Sequence, residues 1–397
     1  MNRFWSPKLG DVTEPVKTWN PARDANQPFR YVDLSAVDQS VKAITDAALV
    51  EPQDAPSRAR QIVRTDDILV STVRPNLNAV ARVTDRFDGT TASTGFCVLR
   101  PTAGKVDPNY LFHWVRTPQF IDEMVRNATG ASYPAVSDRI IKASVFPLPP
   151  LGEQRRIAAI LDKADALRQK RKRAIALLDS LTPSIFSEMF GLEGSPVSIR
   201  PKLKDGPGSW RLLTDVAQLA TGHTPDRKQP AYWGGEIPWI SLGDIRDLHG
   251  RIATHTRENV TKAGIDNSSS VLLPAGTVCF SRTASVGFST IMGQPMATSQ
   301  DFVNWVCGEN LIPEYLLGAL EASQAELRAL ATGSTHRTIY FPTVERFQVF
   351  VPPIADQRRY VKIRQAHLVA RTEMENDLPH LDSLFASLQH RAFSGQL

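Results

Sequence analysis

The chain contains the same series of short motifs twice, at a constant displacement along the sequence. Ala-Thr-Gly, Pro-Pro and Gln-Arg-Arg follow one another at 128–130, 149–150 and 154–156, and they recur 203 positions later at 331–333, 352–353 and 357–359. Self-similarity over about half of the chain indicates two copies of a whole folding unit, not a solenoid of small repeats. The sequence therefore predicts a tandem duplication, and two similar surfaces at a fixed distance suit a partner that repeats along its length.

The composition is that of an ordinary globular protein with room for more than one hydrophobic core. The chain has 397 residues, of which 42% are hydrophobic and 22% are charged, so disordered and collagen-like classes are excluded. No apolar run approaches the roughly 20 residues that span a bilayer, and the first residues lack a secretory apolar segment. We therefore expect a cytoplasmic protein without membrane contact.

Charge and cysteine content add two weaker expectations. The net charge of +5 and the pI near 9.1 are compatible with a polyanionic partner, although many basic proteins bind no nucleic acid. Cys97, Cys279 and Cys307 lie in apolar, strand-like segments without Cys-x-x-Cys spacing. This pattern predicts buried thiols instead of a disulfide or a zinc site.

Each Pro-Pro pair is followed by a segment with the periodicity of a long amphipathic helix. Apolar residues recur at intervals of three or four from 151 to 191, and the segment 354–397 repeats the pattern. Pro379 is expected to kink or break the second helix. A narrow apolar stripe is not stable alone in water, so we expect the two helices to pack against each other.

Helices of this length could act as a spacer along DNA. Some 30 helical residues at about 1.5 Å each span roughly 45 Å, which exceeds one turn of B-DNA at about 34 to 36 Å. Two folded units at the ends of such a rod would each face a major groove on the same side of a duplex.

The remainder of each copy mixes short strands with a helix, which is typical of the α+β class. Strands are predicted at 68–72, 96–99, 278–281 and 302–306, and helices at 110–127 and 314–331. A stretch rich in Pro, Gly, Ser and Lys predicts a linker near 192–208. The predicted divisions are a first folded unit at 1–150, a helical spacer at 151–191, the linker at 192–208, a second folded unit at 209–353 and a second helical spacer at 354–397.

Three runs of residues resemble one known family. They are Pro-Leu-Pro-Pro-Leu-Gly-Glu-Gln and the helix start after it at 147–162, Leu-Thr-Pro-Ser-Ile-Phe-Ser-Glu-Met-Phe-Gly at 181–191, and Tyr-Trp-Gly-Gly-Glu-Ile-Pro-Trp-Ile-Ser at 232–241. Together they resemble the specificity subunit (S subunit) of type I restriction-modification enzymes, over essentially the whole chain. The second copy departs from the family motif, because Ala355-Asp356-Gln357 stands where the family usually has Glu before Gln.

The resemblance implies a fold, a function and a set of partners. The fold would be α+β, with two similar target recognition domains separated by two long antiparallel helices that form a coiled coil. The two domains would read the two halves of a split, asymmetric site in double-stranded DNA. Two methylation (M) subunits and the motor-nuclease (R) subunits would carry the chemistry, so the chain itself would have no catalytic residue, metal or cofactor.

The sequence agrees with this implication, because it lacks three motifs of the chemistry that the partners would perform. It contains no Gly-x-x-x-x-Gly-Lys-Ser/Thr loop for ATP, no Asn-Pro-Pro-Tyr/Phe motif for methylation of amino groups and no His-Glu-x-x-His motif for zinc.

Base readout requires polar or basic side chains on exposed loops, and three loop clusters in each copy meet this requirement. In the first copy the candidate DNA-contacting residues are Arg23, Thr72, Arg74, Asn76, Asn78, Ser132 and Tyr133. In the second copy they are Thr221, His223, Thr224, Lys228, Ser281, Arg282, Thr283, Ser334, Thr335, His336 and Arg337. Arg74 and Arg282 follow similar strands, which predicts a shared role.

Other interpretations stay open. Runs of Gly, Ser, Thr and Pro also form ordinary surface turns, and Arg74 before Pro75 could cap a strand end. Tyr232, Trp233 and Trp239 are predicted to anchor turns and core instead of stacking on bases. The alternative function is a stand-alone two-headed DNA-binding regulator. An enzyme with an unrecognised site is less favoured, because the polar loops of the two copies differ and contain no matched acid-base pair.

Overall fold

The protein divides into two compact units. The computed structural model describes residues 5–130, 132–192, 194–200, 208–333 and 337–397, except the side chains of Asp179, Ser180, Thr182 and Pro183. Unit 1 comprises Met1–Arg173 together with Glu375–Leu397, and unit 2 comprises Ala174–Met374. Each unit therefore contains one folded head, the start of one long helix and the end of the other.

Head 1, which comprises residues 5–150 of unit 1, is built around two four-stranded sheets. The first sheet is antiparallel, with the strand order Thr13–Glu14, Phe96–Pro101, Ile68–Ser71 and Val80–Arg82. The second has the order Ala48–Val50, Phe29–Val32, Thr91–Ser93 and Ala59–Ile62, and its two central strands are parallel. A two-stranded ribbon pairs Val37–Asp38 with Ala43–Ile44.

Head 2, which comprises residues 209–353 of unit 2, repeats this architecture with one strand more in the first sheet and one fewer in the second. Its first sheet has the order Ala217–Thr221, Phe302–Cys307, Val278–Ser281, Ser289–Met292 and Ile252–Ala253, of which the last is a parallel edge strand. Its second sheet has the order Glu258–Val260, Trp233–Ile240 and Ala297–Thr298, again with one parallel pair. The shared strand order is the three-dimensional counterpart of the sequence repeat.

A third sheet in unit 2 closes the base of head 2. Its strands are Val197–Ser198, Gln348–Val351 and Ser209–Leu212. Val197 is fully buried, so this part of the predicted linker belongs to the core of unit 2.

Short helices connect the strands in both heads. The α-helices of head 1 are Pro21–Asp24, Pro108–Trp114, Pro118–Arg126 and Asp138–Ala143, and its 3₁₀ turns are Leu9–Val12, Leu34–Ala36, Pro52–Asp54, Pro75–Leu77 and Asp85–Phe87. The α-helices of head 2 are Leu213–Val216, Ile245–Leu248, Lys262–Asp266, Pro313–Ala322, Gln324–Ala329 and Phe341–Val344, and its 3₁₀ turn is Pro230–Tyr232.

The single helix that the sequence predicts at 110–127, and again at 314–331, is wrong in both copies. In head 1 the first helix ends before Pro118, which has no N–H to continue it. The side chain of Thr117 caps the second helix by accepting from the N–H of Phe120. In head 2 the break falls at Ser323, whose hydroxyl donates to the carbonyl of Ala319 at 2.7 Å. A serine hydroxyl can bond locally to the backbone, and this competes with helix continuation.

Two helices of 40 residues each follow the heads: spacer helix 1 (Leu151–Phe190) and spacer helix 2 (Ile354–Phe393). In unit 1 they lie antiparallel, because Arg168 donates to Asp382 at 2.7 Å and Arg156 donates to the carbonyl of Leu397 at 2.8 Å. In unit 2 the rings of Phe186 and Tyr360 lie 4.3 Å apart. The predictions of an α+β fold and of helices that pack against each other are confirmed.

Pro379 lies inside spacer helix 2, which runs without interruption from Ile354 to Phe393. The expectation of a break at this proline is therefore wrong, and that of a kink stays a prediction. Proline lacks the N–H that would bond to the carbonyl four residues earlier, but the helix beyond it is held by packing. Phe385 and Phe393 are both buried in the core of unit 1, and the Phe393 ring lies 5.2 Å from that of Trp114.

A buried glutamine fixes the start of each spacer helix to its head. Gln154 donates through Nε2 to the carbonyls of Lys105 and Pro149, and its Oε1 accepts from the N–H of Asp107 at 2.8 Å. The same three bonds recur in unit 2, where Nε2 of Gln357 donates to the carbonyls of Asn310 and Pro352 and its Oε1 accepts from the N–H of Ile312. These bonds explain why Pro-Pro and Gln recur at one spacing, and they do not involve the residue before Gln, at which the two copies differ.

Candidate nucleic-acid interface

Two of the predicted loop clusters lie side by side in each head. Loop A1 (72–79) follows the strand Ile68–Ser71 and is bridged to loop B1 (129–136) through Val73 and Ala135. Loop A2 (282–288) follows the strand Val278–Ser281 and is bridged to loop B2 (332–339) through Thr283 and Thr338. The fold therefore brings sequence-distant polar residues to one edge of the first sheet in both heads.

The backbone bonds between these loops define which residues are equivalent in the two heads. The N–H of Thr72 donates to Gly95 at 2.9 Å, and the N–H of Arg282 donates to Asp301 at 2.9 Å. The next equivalent bonds start two residues later: Arg74 N–H donates to Pro134 at 2.7 Å, and Ala284 N–H donates to Arg337 at 3.0 Å.

A backbone dihedral supports this alignment. Arg74 and Ala284 are both in the left-handed region, with φ of 49° and 56°, which is uncommon for residues with a side chain. Arg74 is therefore equivalent to Ala284, and Arg282 to Thr72. The prediction that Arg74 and Arg282 occupy matching positions is wrong, because both follow the strand but at different registers in the turn.

In head 1, loops A1 and B1 present four exposed candidate side chains. The Arg74 guanidinium lies 4.9 Å from the ring centre of Tyr133, which is itself 69% exposed. Asn76 and Ser132 are exposed as well. Cation–π stacking restricts the freedom of a long arginine side chain, so Arg74 is held at the surface in a limited set of orientations.

The other candidates of head 1 have structural partners or a separate location. The hydroxyl of Thr72 donates to the carbonyl of Gly95, and Nδ2 of Asn78 donates to the carbonyl of Val115, each at 2.9 Å. Arg23 lies on the separate short helix Pro21–Asp24, next to the carboxylate of Asp24 at 3.5 Å. Loop geometry accounts for Thr72 and Asn78 without any ligand.

In head 2, Ser281 and Arg282 are less available than the sequence predicts. Ser281 is fully buried, and its hydroxyl donates to the carbonyl of Thr283 at 3.1 Å, so we remove it from the DNA-contacting candidates. Arg282 donates through Nη2 to the carbonyl of Gln300 at 2.9 Å and lies 4.7 Å over the ring of Phe341. Burial lowers the pKa of this guanidinium from its ordinary value.

Gln300 connects the third predicted cluster of head 2 to Arg282. Its side-chain Oε1 accepts from the hydroxyl of Thr224 at 2.6 Å, while its carbonyl accepts from Arg282. Thr221, His223 and Lys228 of the same segment are exposed. Thr283 of loop A2 is half-buried, Arg337 of loop B2 is exposed, and Ser334, Thr335 and His336 lie outside the described residues.

The tryptophans of head 2 act as anchors, as the sequence analysis favours. Trp239 is 2% exposed, and its ring lies edge-on to that of Trp233 at 5.1 Å. Arg227 stacks 3.8 Å from the ring centre of Trp233 and pairs with both oxygens of Glu258. The hydrogen bonds between these two side chains are the main cause that lowers the pKa of Glu258 and raises the pKa of Arg227. The attraction between the two charges shifts both pKa values in the same directions.

Two arginines that the sequence analysis did not select line a cavity beside loop A2. Arg246 and Arg328, together with the predicted Arg337, surround an open cavity of about 450 Å³. They come from segments far apart in the sequence, and no local motif marks them. Only the folded chain brings them together.

The described residues contain no group of three or more His, Cys, Asp or Glu side chains arranged to hold a metal ion.

Cys97 and Cys279 are buried and Cys307 is partly buried, and burial raises the pKa of all three thiols. Within the part of the chain that the structure describes, no helix combines the length and apolarity needed to cross a membrane.

Residues 59–177 and 210–380 match a family model described as the type I restriction modification DNA specificity domain. The chain belongs to this family. The HindI type I restriction enzyme specificity subunit of Haemophilus influenzae is 21% identical over 395 residues, which cover 82% of this chain and 84% of that protein.

Solved structures agree with this assignment. A chain from a study of complex assembly and conformational transition in a type I R-M system is 25% identical, with a TM-score of 0.65, and covers 99% of this chain and 98% of that chain. The type I restriction-modification S subunit from M. genitalium shares the fold at 11% identity, with a TM-score of 0.55 and coverage of 99% and 97%.

Both regions that match the specificity-domain family include the features described above. The first contains loops A1 and B1 and Gln154, and the second contains loops A2 and B2 and Gln357. The repeat that the sequence shows is therefore a repeat of this domain, and the resemblance to type I specificity subunits is confirmed.

Proposed function

We propose that this chain is the non-catalytic, DNA-reading subunit of a type I restriction-modification complex, in which each head reads one half of an asymmetric bipartite site. The observation that carries the proposal is the pair of joined loops at the same sheet edge in both heads, with different side chains on equivalent backbone positions. Arg74 is replaced by Ala284, and Thr72 by Arg282. Similar scaffolds with different polar surfaces suit two different half-sites.

The side chains on these loops have the chemistry that base readout requires. Arginine pairs with two acceptors of guanine in the major groove, and Asn, Gln, Ser and Thr bond to other base edges. In head 1 the exposed set on loops A1 and B1 is Arg74, Asn76, Ser132 and Tyr133. In head 2 the exposed set comes from the segment that Gln300 connects to Arg282, and it comprises Thr221, His223 and Lys228. Recognition residues are commonly placed on loops that a rigid sheet holds in position.

We further propose that the spacer helices set the separation of the half-sites and offer docking surfaces to methylation and motor-nuclease subunits. The glutamine bonds support this role, because they fix the direction in which each helix leaves its head. Adenine methylation, ATP hydrolysis and cleavage would then belong to the partner subunits.

Mapping of methylated adenines in the host genome, with and without this gene, tests the proposal. We expect one bipartite motif with unequal halves to lose methylation when the gene is deleted and to regain it on complementation. Co-purification of a methyltransferase with the tagged chain is the second expected result. An unchanged methylation pattern, together with specific DNA binding by the chain alone, would instead favour a stand-alone regulator.

A further inference from the structure

We infer that head 2 contains a binding pocket for a DNA backbone phosphate, formed by Arg246, Arg328 and Arg337. The inference rests on the proposed function for the identity of the partner, and it assigns a specific task to three side chains. We call this cavity the arginine pocket.

Three separate elements contribute the three guanidinium groups. Arg246 comes from the helix Ile245–Leu248, Arg328 from the helix Gln324–Ala329, and Arg337 from loop B2. They surround an open cavity of about 450 Å³, whose remaining wall includes Ala284, Ser285, Val286 and Phe288 of loop A2. The pocket therefore lies between the two loops that are proposed to face DNA and the adjoining helices.

Among the described residues, each of these arginines donates one side-chain hydrogen bond. Nε of Arg246 donates to the hydroxyl of Ser285 at 3.3 Å, Nε of Arg328 donates to the carbonyl of Val286 at 2.9 Å, and Nη2 of Arg337 donates to the carbonyl of Ala331 at 3.0 Å. Arg328 also stacks 5.0 Å from the ring centre of Phe288. A guanidinium has five N–H donors, so each group is oriented by one bond and keeps donors for a ligand.

The charge in the pocket is not neutralised by the protein. Among the described residues, no carboxylate lines the cavity and none forms an ion pair with these three arginines. Other arginines of unit 2 do have such partners, for example Arg227 with Glu258 and Arg364 with Glu321. Three like charges around one cavity repel one another, and a bound anion removes this cost.

A phosphodiester group of the DNA backbone is the anion that fits this pocket. The planar fork of arginine matches the oxygens of a phosphodiester, and several arginines around one anion provide both charge and geometry. A contact of this type fixes the position of the duplex on the protein without reading sequence. The pocket would therefore set the register in which loops A2 and B2 meet the bases.

A cavity beside loop A1 of head 1 has a different lining. It measures about 10 Å³ and lies between loop A1 and the helix Pro118–Arg126, where Pro75, Phe120 and Met124 contribute to its wall. No arginine lines this cavity. The phosphate contact is therefore proposed for head 2.

Salt dependence of DNA binding by the full-length chain tests the inference. The pocket variant combines Arg246→Gln with Arg328→Gln, and the control variant combines Arg211→Gln with Arg346→Gln, two exposed arginines of unit 2 outside the cavity. The probe is a fluorescent duplex of random sequence, and affinity is measured over a range of salt concentrations. Loss of one phosphate contact lowers the slope of log K against log salt by about 0.9 and weakens binding about tenfold at low salt.

We expect the pocket variant to show this change in slope, and the control variant, with the same loss of charge, to keep the slope of the unmodified chain. Arg337→Gln is the second test, because its side chain is exposed and its substitution does not remove a contact to loop A2. If the unmodified chain binds DNA but the slope is unchanged both in the Arg246→Gln/Arg328→Gln variant and in Arg337→Gln, the phosphate-binding inference is wrong and the proposed function still stands. Failure of the unmodified chain to bind any duplex would overturn both.

Discussion

Heads 1 and 2 share a strand order, a pair of joined loops and a glutamine that fixes the following helix, yet their exposed loops carry different side chains. The joined loops depend on backbone hydrogen bonds, such as those of Thr72 and Arg282 to Gly95 and Asp301. A backbone bond does not depend on the identity of the side chain. The loops can therefore change their polar surface, and with it the DNA sequence they meet, without loss of the fold.

The same two regions also differ where each head meets its spacer helix. In unit 1, Arg116 of the head donates to Asp165 of the helix at 2.7 Å. In unit 2 the charges are exchanged, because Glu321 of the head accepts from Arg364 of the helix at 2.6 Å. The ion pair between head and helix therefore has opposite polarity in the two units.

Breaking the ion pair of unit 2 should give the largest effect. Both side chains are largely buried, at 7% exposure for Arg364 and 16% for Glu321. Removal of one partner leaves an uncompensated buried charge, so we expect Arg364→Glu alone to lower the free energy of unfolding by about 3 to 5 kcal/mol. The double exchange, Arg364→Glu with Glu321→Arg, should recover more than half of this loss.

Urea unfolding of the full-length chain measures these changes. Exchange of Arg116 and Asp165 in unit 1 is the matched experiment, although Arg116 also stacks 4.8 Å from the ring centre of Phe112. The exchange of Arg116 and Asp165 should therefore recover less stability than the exchange of Arg364 and Glu321. If Arg364→Glu alone leaves the free energy of unfolding unchanged, the pair does not hold head 2 to its helix.

Substitution of Arg74 or Arg282 should have a smaller effect than breaking the ion pair. Each substitution should weaken binding to a different half-site, so the two heads can be compared. We expect Arg74→Ala to weaken binding to one half-site by about 1 to 3 kcal/mol if the guanidinium pairs with a base. Arg282→Ala should cost less, because Arg282 is already bonded to Gln300 and stacked on Phe341. Competition binding with duplexes altered in one half-site at a time provides the measurement.

Arg74→Lys is the control, since it keeps the charge and loses the bidentate geometry. An equal loss on the target and on random DNA would show that Arg74 holds a phosphate and reads no base. A loss for Arg282→Ala as large as that for Arg74→Ala would contradict the structural difference between the loops.

Features that depend on local pattern were predictable from the sequence, and features that depend on register and distant contacts were not. Helix periodicity after each Pro-Pro pair located both spacer helices, and apolar runs located the central strands. The single helix predicted in each copy is wrong for two different reasons. Pro118 is a strong helix-start signal that the apolar periodicity concealed, whereas the Ser323 hydroxyl bonded to the backbone leaves no strong sequence signal.

The candidate site shows the same limit more clearly. Arg74 and Arg282 look equivalent in sequence, and only the backbone bonds show that their positions differ by two residues. Ser281 looks like an exposed loop residue but ends a buried strand. The arginine pocket joins residues 246, 328 and 337, and no pattern within a short window can indicate such a contact.

The smallest expected effect concerns pH, to which unit 1 responds through His113 and unit 2 through His249. This histidine is 1% exposed, its Nε2 lies 2.7 Å from Asp162, and burial, which outweighs that hydrogen bond, lowers its pKa below the usual 6.5. The unfolded chain therefore binds this proton more readily than the folded chain does. The stabilising contribution of neutral His113 is fully present above about pH 6.5 and decreases as the pH falls below that value.

His113→Gln should remove this part of the pH dependence, because glutamine stays neutral and can still bond to Asp162. Unfolding curves at a series of pH values between about 8 and 5 give the measurement. His380→Gln, at an exposed histidine of the same unit, should leave the pH dependence as it is. Since His249 of unit 2 also has a pKa lowered by burial, its contribution should persist in the His113 variant. An unmodified pH profile after His113→Gln would show that the Asp162 carboxylate compensates for burial and that unit 1 gains no acid sensitivity from this residue.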